Sequence, residues 1–238
     1  MRCLLWMLLF TSACGSPTHG TGPLVAAAGM AFSFGQSSAA SSLEGAHISV
    51  LESPELGATV DGNGGFALQV PSGGECSFTI HQPGFHDSQT AALSVGAGGI
   101  DQVSFQVPPD NIFAVLASVV GIDADPTRCQ IATTVSAAGT PPYGGSGVGE
   151  PDVTVTIAPP LPASAGPVYF QYVSASVILP DASLTATSID GGVLFLNVPP
   201  NDYTLTAHKA GKTFSSVKLH CRPNVLVNAA PPWGLQTL

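Results

Sequence analysis

The sequence predicts an all-β chain of two tandem β-sandwich domains joined by a short helix. Three observations carry that prediction. First, one unit occurs twice: Asp61-Gly62-Asn63-Gly64-Gly65-Phe66-Ala67-Leu68-Gln69-Val70-Pro71 and Asp190-Gly191-Gly192-Val193-Leu194-Phe195-Leu196-Asn197-Val198-Pro199. Each copy continues through a short loop and an alternating strand to a matching end, His81-Gln82-Pro83-Gly84 and His208-Lys209-Ala210-Gly211. Second, apolar and polar residues alternate with period two between Gly- and Pro-rich turns, the pattern of strands buried on one face. Third, the chain has 27 glycines and 21 prolines but only 9% charged residues among 238, too few Glu and Lys for long surface helices.

The N-terminus reads as a targeting segment over residues 1–13. Arg2 supplies a positive start, residues 3–10 an apolar run too short to span a bilayer, and Thr11-Ser12-Ala13 a small-residue site. Cys14 follows at once, so the segment resembles a bacterial lipoprotein signal. That resemblance makes Cys14 the lipidated residue and, with Gly15 behind it, implies outer-membrane sorting. Thr11 departs from the Leu usual in such signals. Ordinary secretion, cleaved after Ala13 or near residues 26–28, is the alternative. Residues 14–42, rich in Ser, Gly, Ala and Thr, read as a flexible tether.

Domain one is expected over residues 43–109. Ile48 and Val50 alternate, and the stretch from Pro54 to Gly57 reads as a break. Asp61-Gly62-Asn63-Gly64 is a strong turn signal, because Asn and Gly tolerate positive φ. Phe66, Leu68 and Val70 share one face and are answered by Cys76, Phe78 and Ile80. Val103, Phe105 and Val107 close the domain. A connector follows over residues 110–127. Its helix starts at Asp110 or Asn111, carries the stripe Ile112, Val115, Leu116 and Val119, and ends at Gly121.

Domain two is expected over residues 128–238. Strands are read at residues 129–135, 153–157 and 184–186, then through the repeated unit, with Leu194, Leu196 and Val198 facing Tyr203 and Leu205. Val225-Leu226-Val227 completes the sheets. An insert over residues 158–180 has no counterpart in domain one and carries Tyr169, Phe170 and Tyr172. Alternation turns Cys129 and Cys221 toward the second core, where a disulfide is open to them; the Cβ separation it requires is not a property of the sequence. Cys76 reads as a small buried hydrophobe.

The order of strand, Asp-Gly turn, aromatic-x-Leu-x-Val-Pro, alternating strand and His-x-x-Gly resembles the carboxypeptidase regulatory-like domain, over roughly residues 43–107 and 128–228. The resemblance implies a transthyretin-like Greek-key sandwich, a tandem arrangement found in surface lipoproteins, and no catalysis by the module itself. Related carbohydrate-binding-like and adhesin sandwiches share much of the motif.

The residues offer little chemistry. The net charge of −9 excludes nucleic acid as a natural partner, since phosphate binding needs clustered Lys and Arg. His81, His86 and Asp87 lack the spacing of a zinc set, Asp61 to Gly64 lacks the further carboxylate of a calcium loop, and no nucleophile elbow is present. Gly144-Gly145-Ser146-Gly147 lacks the Lys of a phosphate loop. No metal, cofactor or catalytic residue is therefore expected. Tyr169, Phe170, Tyr172 and Trp233 are candidates for stacking on sugar rings, with sheet-edge packing as the alternative. The cationic strip Lys209, Lys212, Lys218 and Arg222 has three candidate targets: an anionic glycan, a partner, or the chain's own acidic first domain. The expected partners are a membrane through the lipid and a glycan or another envelope protein. Function is expected to be structural or interactive at the outer membrane surface, with carbohydrate binding as the alternative.

Overall fold

Tight turns set the frame. Asp61 Oδ1 accepts from the Asn63 and Gly65 N–H groups at 2.8 and 2.9 Å, and Gly64 takes φ +85°. The side chain thus closes the turn locally, as Asx turns do. In the computed structural model, which describes residues 20–34, 41–140, 149–174, 177–230 and 232–238, such turns link short strands into an all-β molecule. The expected signal and Cys14 lie outside the described residues.

The first unit comprises β1 (Leu24–Ser33), β2 (His47–Val50), β3 (Ser53–Thr59), β4 (Gly65–Pro71), β5 (Gly74–Cys76), β6 (Phe78–His81), β7 (Ser88–Thr90), β8 (Leu93–Val95) and β9 (Phe105–Val107). Helix α1 (Asp110–Val119) follows. The second unit comprises β10 (Cys129–Ser136), β11 (Thr154–Ala158), β12 (Val168–Ser174), β13 (Val177–Asp181), β14 (Gly192–Val198), β15 (Asn201–His208), β16 (Ser216–Cys221), β17 (Leu226–Asn228) and β18 (Leu235–Gln236).

The two units are built alike. In the first, β1 lies between an antiparallel β4 and a parallel β9. In the second, β10 lies between an antiparallel β14 and a parallel β17. The facing layers match too: β2-β6-β7 corresponds to β11-β15-β16. The repeated motif therefore spans the sandwich. Its two strands sit in opposite sheets with the apolar core between them, instead of forming a hydrogen-bonded hairpin.

Three expectations need correction. Residues 14–42 are not all tether. Leu24–Ser33 is strand β1, with Ala27 and Ala31 fully buried, so the first unit begins well before residue 43. The Ala- and Gly-rich composition that suggests a linker is a packing requirement: a Cβ on Gly29 would lie 1.8 Å from the Val103 carbonyl oxygen. Cleavage near residues 26–28 would cut this strand. Pro54 to Gly57 does not break the chain but lies within β3, at the end of a sheet where a missing N–H is tolerated. Residues 184–186 are irregular chain and bend, not strand.

The units are also fused. β17 pairs in parallel with β7, Leu226 opposite Ser88 and Asn228 opposite Thr90. That pairing joins one layer of each unit into a single 10-stranded sheet, with the path β13-β12-β14-β10-β17-β7-β6-β2-β3 and β18 beside β10. Phe78, Phe105, Ile131 and Phe195, all fully buried, belong to one apolar cluster that runs through both units. At about 25 cal/mol per Å² of apolar surface removed from water, such burial is the main favourable contribution to folding.

Candidate functional site

Three places concentrate polar or exposed apolar groups: the seam between the units, the ion-pair cluster around Glu150, and the surface shared by α1 and the β12–β13 hairpin.

The seam is polar but paired. Ser88, Gln89 and Thr90 are buried there. Gln89 Nε2 donates to the His220 carbonyl at 2.9 Å, and Arg222 Nε donates to Gln89 Oε1 at 2.7 Å. Burial pulls the Arg222 guanidinium down from its ordinary value, while Asp87 and Glu52 oppose that pull. The buried Glu52 carboxylate accepts the Ser77 N–H on both oxygens, at 3.1 and 2.9 Å. His220 stands between Asp202, at 2.5 Å from Nδ1, and Glu52, at 3.9 Å from Nε2. Lys218 reaches across to Glu75 at 2.8 Å. Replacing Gln89 with Ala is expected to cost about 1–3 kcal/mol, because Arg222 and the His220 carbonyl lose a buried partner. Urea unfolding checks it; an unchanged midpoint would mean the network contributes nothing.

The cationic strip is thus committed within the chain. Lys218 and Arg222 meet the first unit, while Lys209 and Lys212 bracket Glu150 at 2.6 and 2.7 Å. Hydrogen bonds from Lys209 and then Lys212 hold the Glu150 carboxyl below its ordinary value.

The thiols divide in the same way. Cys129 and Cys221 form a disulfide, with Cα atoms 5.7 Å apart, that ties β10 to β16 across the second core. Cys76 is free and buried. Burial, then the nearby Glu52 charge, pushes its pKa up to about 11. A thiol held protonated is a poor nucleophile, so Cys76 is a packing residue.

The histidines of the first unit do not converge. His81 Nδ1 is paired with Asp87 at 2.7 Å on the surface. His86 is buried, its ring stacked on Phe113 of α1 with centroids 3.4 Å apart. Among the described residues, no group of three or more His, Cys, Asp or Glu could hold a metal ion.

His86 makes the α1 contact sensitive to pH. Burial depresses its pKa below 6.5, with Asp110 and Asp87 pulling the other way. Above 6.5 the ring is neutral in both the folded and unfolded chain. As pH falls below that value, the unfolded chain takes the proton first, so stability drops with acid. Melting between pH 7.5 and 5.5 is expected to show this slope, and His86→Phe, which keeps the stack, to remove its share. An identical slope in the variant would refute the assignment.

The four aromatic candidates do not assemble into one face. Tyr169 is a core residue, 3% exposed, and its hydroxyl oxygen accepts the Val155 N–H at 3.0 Å. Phe170 is half-buried against Val168, Leu194 and Leu196. Tyr172 is half-buried, and only Trp233, at 40%, is exposed. Trp233 precedes β18 beside β10, and β14 separates β10 from β12. What alternation did not reveal is the surface around them. Val115 and Val119 of the expected stripe are 54% and 48% exposed, and Val119 lies beside Val173 at 60% and Leu179 at 40%.

No family model matches this sequence, so the carboxypeptidase regulatory-like resemblance rests on the quoted motif alone. No curated protein matches it either. Among solved structures, the chain aligns with the Bacillus anthracis TIE protein at 11% identity and a TM-score of 0.28, over 90% of this chain and 34% of that one. A streptococcal ancillary pilin aligns at 11% identity and 0.28, over 76% of this chain and 50% of that one. The shaft pilin SpaA from Lactobacillus rhamnosus GG aligns at 10% identity and 0.23, over 90% of this chain and 97% of that one. The chain thus spans about a third of the first of these proteins and half of the second. Superposition this loose leaves function to the chain's own geometry.

Proposed function

We propose that this chain is a non-catalytic structural or interaction protein of the cell envelope, held by lipid on Cys14 and presenting two sandwich units as one body. The observation that carries the reading is the β17–β7 pairing, which makes one 10-stranded sheet of layers from both units. Independent binding modules on a string need a flexible joint. Here the joint is a sheet ladder backed by Gln89, Arg222 and Lys218. The polar groups most able to do chemistry are spent on that joint and on the Glu150 cluster.

Among the described residues, no helix is long and apolar enough to cross a membrane. The anchor in this proposal is the lipid on Cys14. Membrane fractionation of wild-type and Cys14→Ser protein tests it. The wild type is expected in the membrane fraction and the variant in the soluble one; a variant that stays with membranes would sink the anchoring. A turnover of peptide or ester substrates by the purified chain, abolished by one His or Ser change, would overturn the non-catalytic reading.

A further inference from the structure

Residues 111–122 and residues 158–180 contain no charged side chain. The fold brings these stretches together. Val119, Val120 and Gly121 at the end of α1 form one wall of a shallow groove, and Val173, Leu179 and Pro180 of the β12–β13 hairpin form the other. Val119, Val173 and Leu179 are all exposed here, and Val115, one helical turn before Val119, is exposed as well.

The same place is an open sheet edge. β13 ends the 10-stranded sheet and pairs with β12 alone among the described strands. The other end strand, β3, is guarded by exposed Pro54 and Glu55. β13 instead offers Val177, Ile178 and Leu179. Charges and prolines are how edges are kept from pairing, and β13 has them only at its last two positions, Pro180 and Asp181.

Two considerations identify what covers this surface. A lipid surface would accept the valines but leaves the peptide groups of an open edge without hydrogen-bond partners, which is costly in hydrocarbon. A strand satisfies them. The chain carries a net charge of −9, so copies repel one another through their acidic surfaces. The groove has one charged lining residue, Asp181 at its end, so it is where two copies can meet with least repulsion. An antiparallel strand paired with its own copy about a two-fold axis uses the same patch on both sides and closes without further growth.

We propose that β13 and the groove beside α1 form a two-fold interface, in which two copies of this chain pair β13 to β13 and their sheets become continuous. The inference does not depend on the envelope role or on lipidation. Sedimentation and light scattering of the purified chain are expected to show a dimer. Leu179→Lys at the strand and Val119→Glu at the helix are each expected to raise its dissociation constant at least about tenfold, the effect of roughly 1.4 kcal/mol. Far-UV circular dichroism should be unchanged in both.

The unaltered chain supplies a second readout. Amide exchange at residues 177–179 is expected to slow as concentration rises through the dimer range. A chain monomeric at about 100 μM, well above the μM affinity of even weak specific interfaces, would overturn the proposal. So would a dimer indifferent to both substitutions, exchange at residues 177–179 that ignores concentration, or assemblies larger than two. Sedimentation with phosphatidylcholine vesicles that Leu179→Lys abolishes would transfer the surface to lipid.

Discussion

A chain begun at residue 43 is expected not to fold its first unit. β1 supplies the antiparallel partner of β4 from Leu24 opposite Pro71 to Met30 opposite Gly65, and the parallel partner of β9. Removing it strands both neighbours and uncovers Leu68, Val70 and Phe105, all buried in the intact chain. The loss exceeds the roughly 5–15 kcal/mol by which a domain is stable. A point version tests the same element. In Gly29→Ala the added carbon would lie 1.8 Å from the Val103 carbonyl oxygen and 2.9 Å from the Phe66 ring. The first is backbone and cannot swing away, so the cost is expected to reach about 3 kcal/mol or more, the upper end of overpacking. Near-UV circular dichroism and urea unfolding read both. A fragment 43–238 with the melting curve of the full chain would show that β1 is dispensable.

The second large effect is expected from Cys129→Ala combined with Cys221→Ala. The bond closes a loop with a sequence separation of 92, so its loss frees the unfolded chain by about 4.6 kcal/mol in the loop-entropy account. For a chain of this size that lowers Tm by roughly 9–18 °C. Differential scanning calorimetry checks it. Cys76 should not interfere, since its protonated thiol reacts slowly until the first unit opens. A shift below 2 °C would show that strain or residual structure offsets the crosslink.

Legibility in the sequence follows the range of the interaction. The Asp61 turn closes on N–H groups two and four residues away, so its chemistry is written locally. The helix is legible for the same reason, ending before Gly121 at φ +73°. Its 3.6-residue stripe defined a face but not what covers it, and Val115 and Val119 remain open. β1 was hidden because close packing selects Ala and Gly, the residues that also compose linkers. β7 was hidden because Ser88, Gln89 and Thr90 are polar. Ser88 donates locally to the His86 carbonyl at 3.0 Å, but Gln89 depends on Arg222 from the second unit, and Thr90 Oγ1 accepts the Phe78 N–H at 3.0 Å.

The candidate site divides on the same principle. Lys218 and Arg222 stood out as a basic strip, yet their partners Glu75 and Gln89 lie more than a hundred residues away in sequence. Tyr169 looked available for a ligand because its hydroxyl partner, the Val155 backbone, belongs to another sheet. The all-β class and the twofold repeat were readable because alternation and turn chemistry recur throughout the chain. The fusion of the two layers was not, since a parallel pairing between β17 and β7 leaves no periodic mark.

The placement of β1 has a mechanical corollary. A pull on the residues that precede it enters this strand along its own axis. β1 is held on both sides, by β4 running against it and β9 running with it. Tension of that kind loads the flanking ladders in shear, so their hydrogen bonds must yield together; a strand peeled from a sheet edge gives them up one at a time. The first unit would therefore hold against force from its N-terminal side until the whole of β1 slips, and fail abruptly when it does.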